Sequence, residues 1–241
     1  MGYLECDRIS KRFGGKVAIR DLSFDINRGE IVGMIGPNGS GKTTVFNLIT
    51  GYYSPDRGTI RFRGENITNL KPHQICRIGI ARTFQQVKPL VNMSVFDNVL
   101  TGAFCKAKNR RDAEEIAHQT LGFIGLSEKK NVLSRDLTYA EKRKLEIARA
   151  LATSPEILLF DETMAGLNSK EIGDAVLLIQ KTRDRGMTIV LIEHVMQSIT
   201  SLSDRVIVLS HGEKIAEGTP QEISKNPKVV ESYLGREYVF A

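Results

Sequence analysis

The apolar positions of the chain change their spacing twice. Through about residue 62 they come in short runs, YLECDRI, VAIRDLSFDI, EIVGMIG and TIRFRG, divided by turns of Gly, Asn and Asp. That is the pattern of strands. The first two runs read as an antiparallel pair. EIVGMIG differs: it is apolar on both faces and leads directly into a glycine-rich turn, as a buried parallel strand feeding a helix does. From about residue 89 to 153 the spacing turns helical. Ser94 reads as the N-cap of SVFDNVLTGAF, with Val95, Val99 and Leu100 on one face. RRDAEEIAHQTLGFIGL ends near Gly125, and AEKRKLEIARALAT carries Leu145, Ala148 and Leu151 at helical spacing. Strand runs then return as EILLF, MTIVLIE, RVIVLS and KIAEGT, with the helical stretch KEIGDAVLLIQKTRDRG between the first two. Such alternation implies a parallel sheet with right-handed crossovers. The expected fold is α/β: a mostly parallel sheet core, an N-terminal antiparallel β layer and an inserted α-helical subdomain, in a single domain over residues 1–241.

Composition narrows the classes. The chain has 241 residues, 41% apolar and 26% charged, ordinary for a globular protein. No run approaches the roughly 18 apolar residues that span a bilayer. MGYLECDRIS lacks the basic-then-apolar plan of a signal peptide. Cys6, Cys76 and Cys105 have no metal-ligand spacing and read as reduced thiols. The net charge of +6 allows an anionic partner. The densest basic cluster, CKAKNRRDAEE, turns acidic at once, and there is no Trp. A nucleic-acid groove is therefore not expected.

The chemistry begins directly after EIVGMI. GPNGSGKTT fits G-x-x-x-x-G-K-[ST] in the strand–loop–helix context that gives the pattern its meaning. Its members are Gly36, Pro37, Asn38, Gly39, Ser40, Gly41, Lys42, Thr43 and Thr44. Gly39 and Gly41 let the backbone curl so that N–H groups point inward, and the following helix aims its positive end at the same point. Lys42 supplies a charge for the β- and γ-phosphates of ATP, and Thr43 a hydroxyl for Mg²⁺. EILLFDE places Asp161 and Glu162 at the carboxyl end of a strand, the edge where open α/β sheets bind ligands. Asp161 is the expected Mg²⁺ acid and Glu162 the general base for the attacking water. VLIEH ends the next strand with His194, within reach of a γ-phosphate.

In this order and spacing the chain resembles the ATP-binding subunits of ABC transporters along essentially its whole length. The resemblance makes the domain an ABC-type nucleotide-binding domain. KRFGG puts Phe13 where the family stacks adenine on an aromatic ring. RTFQQ puts Gln85 at the glutamine loop, where it would touch metal and water. LTYAE, residues 137–141, occupies the signature, usually Leu-Ser-Gly-Gly-Gln. In the family two domains pack head to tail, and each signature caps the nucleotide on the other's phosphate loop. Thr138, Tyr139, Ala140 and Glu141 would therefore act on a partner's nucleotide. Tyr139 replaces a glycine and limits backbone approach. Glu141 replaces a glutamine and brings like charge toward phosphate, with Lys142, Arg143 and Lys144 next in line to screen it. Thr163 stands where the family commonly has proline, and Asn168 where many members have aspartate.

GIARTFQ, MAGLN, LEIARALA, IEHVM and the tail VVESYLG look like the subunit that powers branched-chain amino acid import in bacteria and archaea. The tail also resembles the ATPase of lipopolysaccharide export, the alternative reading; a soluble ABC ATPase outside transport is another. The importer resemblance implies ATP and Mg²⁺, a second ATP-binding subunit (a heterodimer, with a homodimer as alternative), transmembrane permease subunits, and a peripheral position on the cytoplasmic face of the plasma membrane.

Overall fold

The computed structural model describes residues 2–193 and 196–231. Strands β1 (Leu4–Phe13) and β2 (Lys16–Ile26) form a hairpin across Gly14 and Gly15. Strand β3 (Ile31–Ile35) then enters a second sheet and leads through the glycine-rich loop into helix α1 (Lys42–Ile49). The chain returns to the first sheet as β4 (Arg57–Phe62) and β5 (Glu65–Asn66), giving the antiparallel order β2-β1-β4-β5. A short helix α2 (Pro72–Ile78) and strand β6 (Ile80–Arg82) follow. Between β6 and the next strand lie three helices: α3 (Val95–Ala103), α4 (Arg110–Ile124) and α5 (Tyr139–Ala152). Then come β7 (Ile157–Asp161), α6 (Ser169–Asp184), β8 (Thr188–Ile192), α7 (Met196–Leu202), β9 (Arg205–Ser210) and β10 (Glu213–Gly218).

The second sheet has the order β10-β9-β3-β8-β7-β6. Its strands run parallel except β10, which turns back along β9 as an antiparallel edge. The central strands are buried at every position because both faces are covered. Alternate residues of each strand serve different cores. Val32, Met34, Leu159, Val190 and Ile192 pack toward α1 and the antiparallel layer. Ile31, Ile35, Leu158, Phe160, Ile189 and Leu191 pack with residues of α6, α7 and the helical insertion. This explains the nearly unbroken apolar runs, since a strand with two covered faces has no polar phase.

The inserted helices start and stop where their side chains dictate. Ser94 caps α3 by accepting from the Asp97 N–H, as the sequence suggests. Asn109 does the same for α4, which ends at Gly125 in a left-handed conformation that glycine adopts without steric cost. All three cysteines are free, and the Cys76 and Cys105 sulfurs lie 3.6 Å apart. Among the described residues no helix is long and apolar enough to cross a membrane.

Candidate active site

The site forms at the carboxyl edge of the second sheet, where β3, β8 and β7 lie side by side. The loop after β3 depends on glycine at Gly36. A Cβ there would fall 2.1 Å from the Leu209 carbonyl oxygen, so no side chain fits. Gly36, Gly39 and Gly41 all have positive φ, the last as N-cap of α1. Pro37 is half-buried and Asn38 exposed, while the Ser40 hydroxyl is buried with no hydrogen-bond partner among the described residues. No acidic side chain sits in the first turn of α1, so its positive end is left for an anion. Thr43 is exposed and Thr44 half-buried at that end.

Lys42 is buried, and its ammonium donates to the carbonyls of Gly36 (2.7 Å) and Pro37 (3.2 Å). Burial lowers its pKa against the opposing pull of the nearby Glu162 and Asp161 carboxylates. A carboxylate pair and a lysine thus converge from β7 and the loop after β3. Asp161 is 1% exposed. One of its oxygens accepts from Arg82 at 2.6 Å, and the other is buried with no hydrogen-bond partner among the described residues. Burial raises its pKa even against the charge of Arg82. An orphaned carboxylate oxygen beside a hydroxyl-bearing helix start fits a hard, oxygen-seeking dication such as Mg²⁺.

Glu162 follows at φ +50°, a conformation uncommon outside glycine and one that marks strained functional positions. Its N–H donates to the Ile192 carbonyl at 2.9 Å, which pins the turn to β8. Its carboxylate accepts from the Gln85 amide at 2.7 Å. The glutamine expected to touch metal and water is therefore also a direct partner of the expected base. Phe13 ends β1 with a partly exposed ring set edge-on to Tyr53, centroids 4.9 Å apart. His194 lies outside the described residues.

The signature forms the N-terminus of α5. Thr138 is its cap: the hydroxyl accepts from the Glu141 N–H (3.3 Å), and the Glu141 carboxylate accepts from the Thr138 N–H (3.0 Å). Ala140 is half-buried beside them. The screening expected from Lys142, Arg143 and Lys144 is corrected here. Glu141 turns back on its own helix start and pairs with Lys129. Partial burial pushes its pKa up, but the bonds from Lys129 and Thr138 win and hold it below the usual range. Lys142 instead reaches the Arg135 carbonyl, and Arg143 is buried. The reason is helical spacing, since successive residues do not share a face. Thr163, in place of proline, is buried and bonds its hydroxyl to that of Thr83 at 3.2 Å. Asn168 caps α6, accepting from the N–H groups of Lys170 and Glu171.

Two residues of the site carried no signal in the sequence. Arg82, which clamps Asp161, becomes visible only when β6 is paired with β7, Arg82 opposite Leu159. Glu193 is buried and accepts from the Met164 N–H at 2.9 Å, holding the loop that follows Glu162. A groove of about 810 Å³ also opens between the core and the helical insertion, lined by Tyr52, Pro72, Phe84, Lys88, Gly102 and Arg149 among others.

A curled loop at a helix start, with a carboxylate pair across a strand from it, has the form of a polyphosphate site. Fold and site together define a P-loop nucleoside triphosphatase. A family model described as ABC transporter matches residues 19–165. One described as branched-chain amino acid ATP-binding cassette transporter matches residues 213–239. The chain is similar to the high-affinity branched-chain amino acid transport ATP-binding protein BraF of Pseudomonas aeruginosa, 41% identical over 96% of this chain and 97% of that one. It is also similar to an ATP-binding cassette of an ABC transporter solved in its ADP conformation, with a TM-score of 0.88 and 32% identity over 98% of this chain and 100% of that one. A dimeric ATP-binding cassette in a post-hydrolysis state, bound to ADP and Pi, superposes with a TM-score of 0.81 and 25% identity over 90% of this chain and 98% of that one. The chain belongs to the ABC transporter family. Within that family it is an ATP-binding subunit that hydrolyses ATP.

Proposed function

We propose that the chain powers the import of branched-chain amino acids as one ABC-type nucleotide-binding domain, working from the cytoplasmic face of the plasma membrane. The observation that carries the catalytic part is the meeting of Lys42, Asp161, Gln85 and Glu162 at one sheet edge. The cargo rests on the C-terminal family match and on the BraF similarity.

Phe13 stacks the adenine. The N–H groups from Gly36 to Thr44 surround the phosphates, and Lys42 leaves the Gly36 and Pro37 carbonyls to neutralise the β- and γ-oxygens. Thr43, Gln85 and the Asp161 oxygen that has no hydrogen-bond partner among the described residues would hold Mg²⁺, which would supply positive charge to offset that of the phosphates. Glu162, oriented by Gln85, takes a proton from water as the water oxygen bonds the γ-phosphorus and the β–γ bridging bond breaks. His194, by the family resemblance, donates to the γ-phosphate. The products are ADP and phosphate.

The chain carries one phosphate loop and one signature. Thr138, the first-turn N–H groups of Tyr139 and Ala140, and Glu141 at the same helix start cap the nucleotide of a second ATP-binding subunit, and the partner returns the same service. A related but distinct chain is the favoured mate, with a second copy of this chain as the alternative. Permease subunits seat in the groove beside Tyr52 and Phe84, so that closure of the dimer moves them.

Replacing Glu162 with Gln tests the assignment of the base. In the assembled transporter, hydrolysis should fall at least a hundredfold while ATP affinity stays within about twofold. Turnover at the native rate would remove Glu162 from the mechanism.

A further inference from the structure

Tyr139 stands where the family has glycine, and phosphate capping gives no reason for a tyrosine there. The residue is 47% exposed, yet its hydroxyl is engaged on both sides. It donates to the Ala165 carbonyl (3.1 Å) and accepts from Arg143 through both Nε (3.2 Å) and Nη2 (2.8 Å). The ring lies against Gly166, where a Cβ would come within 3.2 Å of it. Arg143 is only 3% exposed. Its guanidinium also donates to the carbonyls of Phe84 (3.1 Å) and Gln85 (2.8 Å). It pairs with Glu146 at 3.5 Å, and Glu146 in turn accepts from the Phe84 N–H at 2.7 Å.

These bonds converge on one residue that none of them touches. Gln85, held by its carbonyl, grips the Glu162 carboxylate with its amide. Ala165, held by its own carbonyl, belongs to the loop that leaves Glu162, and the Ala165 N–H bonds the Glu162 carbonyl at 3.3 Å. Glu162 has a left-handed backbone, which persists only where its surroundings over-determine it. The geometry points to Tyr139 and Arg143 as a positioning couple. They tie the start of the signature helix to both segments that flank the water-activating carboxylate of the same chain. A shift of α5 upon capping a partner's nucleotide is then felt at Glu162, which couples the two composite sites. A glycine at position 139 has no hydroxyl with which to make this tie. The inference rests on the reading of Glu162 as the base.

The test uses the assembled transporter with Tyr139→Phe, which keeps the ring and removes only the hydroxyl, and Arg143→Lys, which keeps charge but loses the planar fork. Each should lower kcat about ten- to a hundredfold, the scale set by small misplacements of catalytic groups. KM for ATP, and the ATP affinity of the isolated chain, should stay within about twofold. The double variant should be no worse than the poorer single variant within about twofold, because the two residues act as one unit. A purely structural role would not produce the kcat-only split or the lack of additivity. Native kcat in Tyr139→Phe, or a double-variant loss equal to the product of the single losses, would overturn the couple. Failure here with Glu162→Gln inactive removes the couple alone. An active Glu162→Gln removes the base assignment and the couple with it.

Discussion

Asp161 shows how a single side chain is held ready for a ligand. Arg82 engages one carboxylate oxygen and fixes the rotamer, leaving the other oriented, buried and without a hydrogen-bond partner among the described residues. Glu193, on the neighbouring strand end, presents the opposite case. Burial pushes its carboxyl up to about 7, although the Met164 N–H favours the charged form. The folded chain thus holds this proton more tightly than an unfolded chain, whose carboxyl titrates near ~4.3. The group favours folding most at low pH. That advantage is lost as pH rises from about 4 through about 7, and above that the cost of the buried charge is fully present. Glu193→Gln keeps an acceptor for Met164 and removes the charge. Its melting temperature should exceed the native value by several degrees at pH 8, and its stability advantage should shrink by about 2.5 kcal/mol on going to pH 5. An equal gap at both pH values, measured by calorimetry, would show that Glu193 does not titrate in this range. At this scale the motif residues were legible because their neighbours in sequence define them. Arg82 and the Tyr139–Arg143 bond were not, because their partners lie far away along the chain or depend on which way a side chain turns.

Among the elements, the legible ones carried a long period or a cap. Helices α3 to α6 announce themselves by apolar spacing over more than two turns, and α3 also by its cap Ser94; the caps Asn109, Thr138 and Asn168 came with the structure. The central strands announce themselves by runs covered on both faces. Strand β6 has three residues and α2 seven, too few for a period to emerge. Only pairing with β7 makes a strand of Ile80–Arg82. The α5 start is the element on which two readings converge, since one capping box ends the loop and, in the proposed function, the same turn meets a partner's phosphate. Thr138→Ala should cost about 1 kcal/mol of stability, a fall of about 2–4 °C in melting temperature, with Thr138→Ser close to native. If alanine melts with the native protein in the same scan, the capping bond contributes nothing and the signature threonine serves phosphate alone.

The whole molecule is a sheet sandwiched between two cores, with one face covered by an antiparallel layer and α1 and the other by α6 and α7 alongside the helical insertion. The phosphate loop and the carboxylates sit where strands of that sheet end together, while the signature sits on the insertion. The two halves of the chemistry therefore belong to different parts of the chain, and the bonds from Arg143 to residues 84 and 85 are a direct link between them. The sequence order of the motifs gave this division. The distances that make it mechanical came only with the structure. In the proposed function, ATP bound at the loop after β3 is converted into movement of membrane partners, and Lys42 is the residue without which no such conversion begins. The direct measurement is uptake of radiolabelled leucine, isoleucine and valine into proteoliposomes that hold the permease subunits, the second ATP-binding subunit and either the native chain or Lys42→Ala, with ATP on the side bearing the ATP-binding subunits. Native vesicles should accumulate the amino acids only when ATP is present, and Lys42→Ala vesicles should accumulate none above background. Accumulation at the native rate by Lys42→Ala vesicles, or native uptake indifferent to ATP, would contradict the central claim.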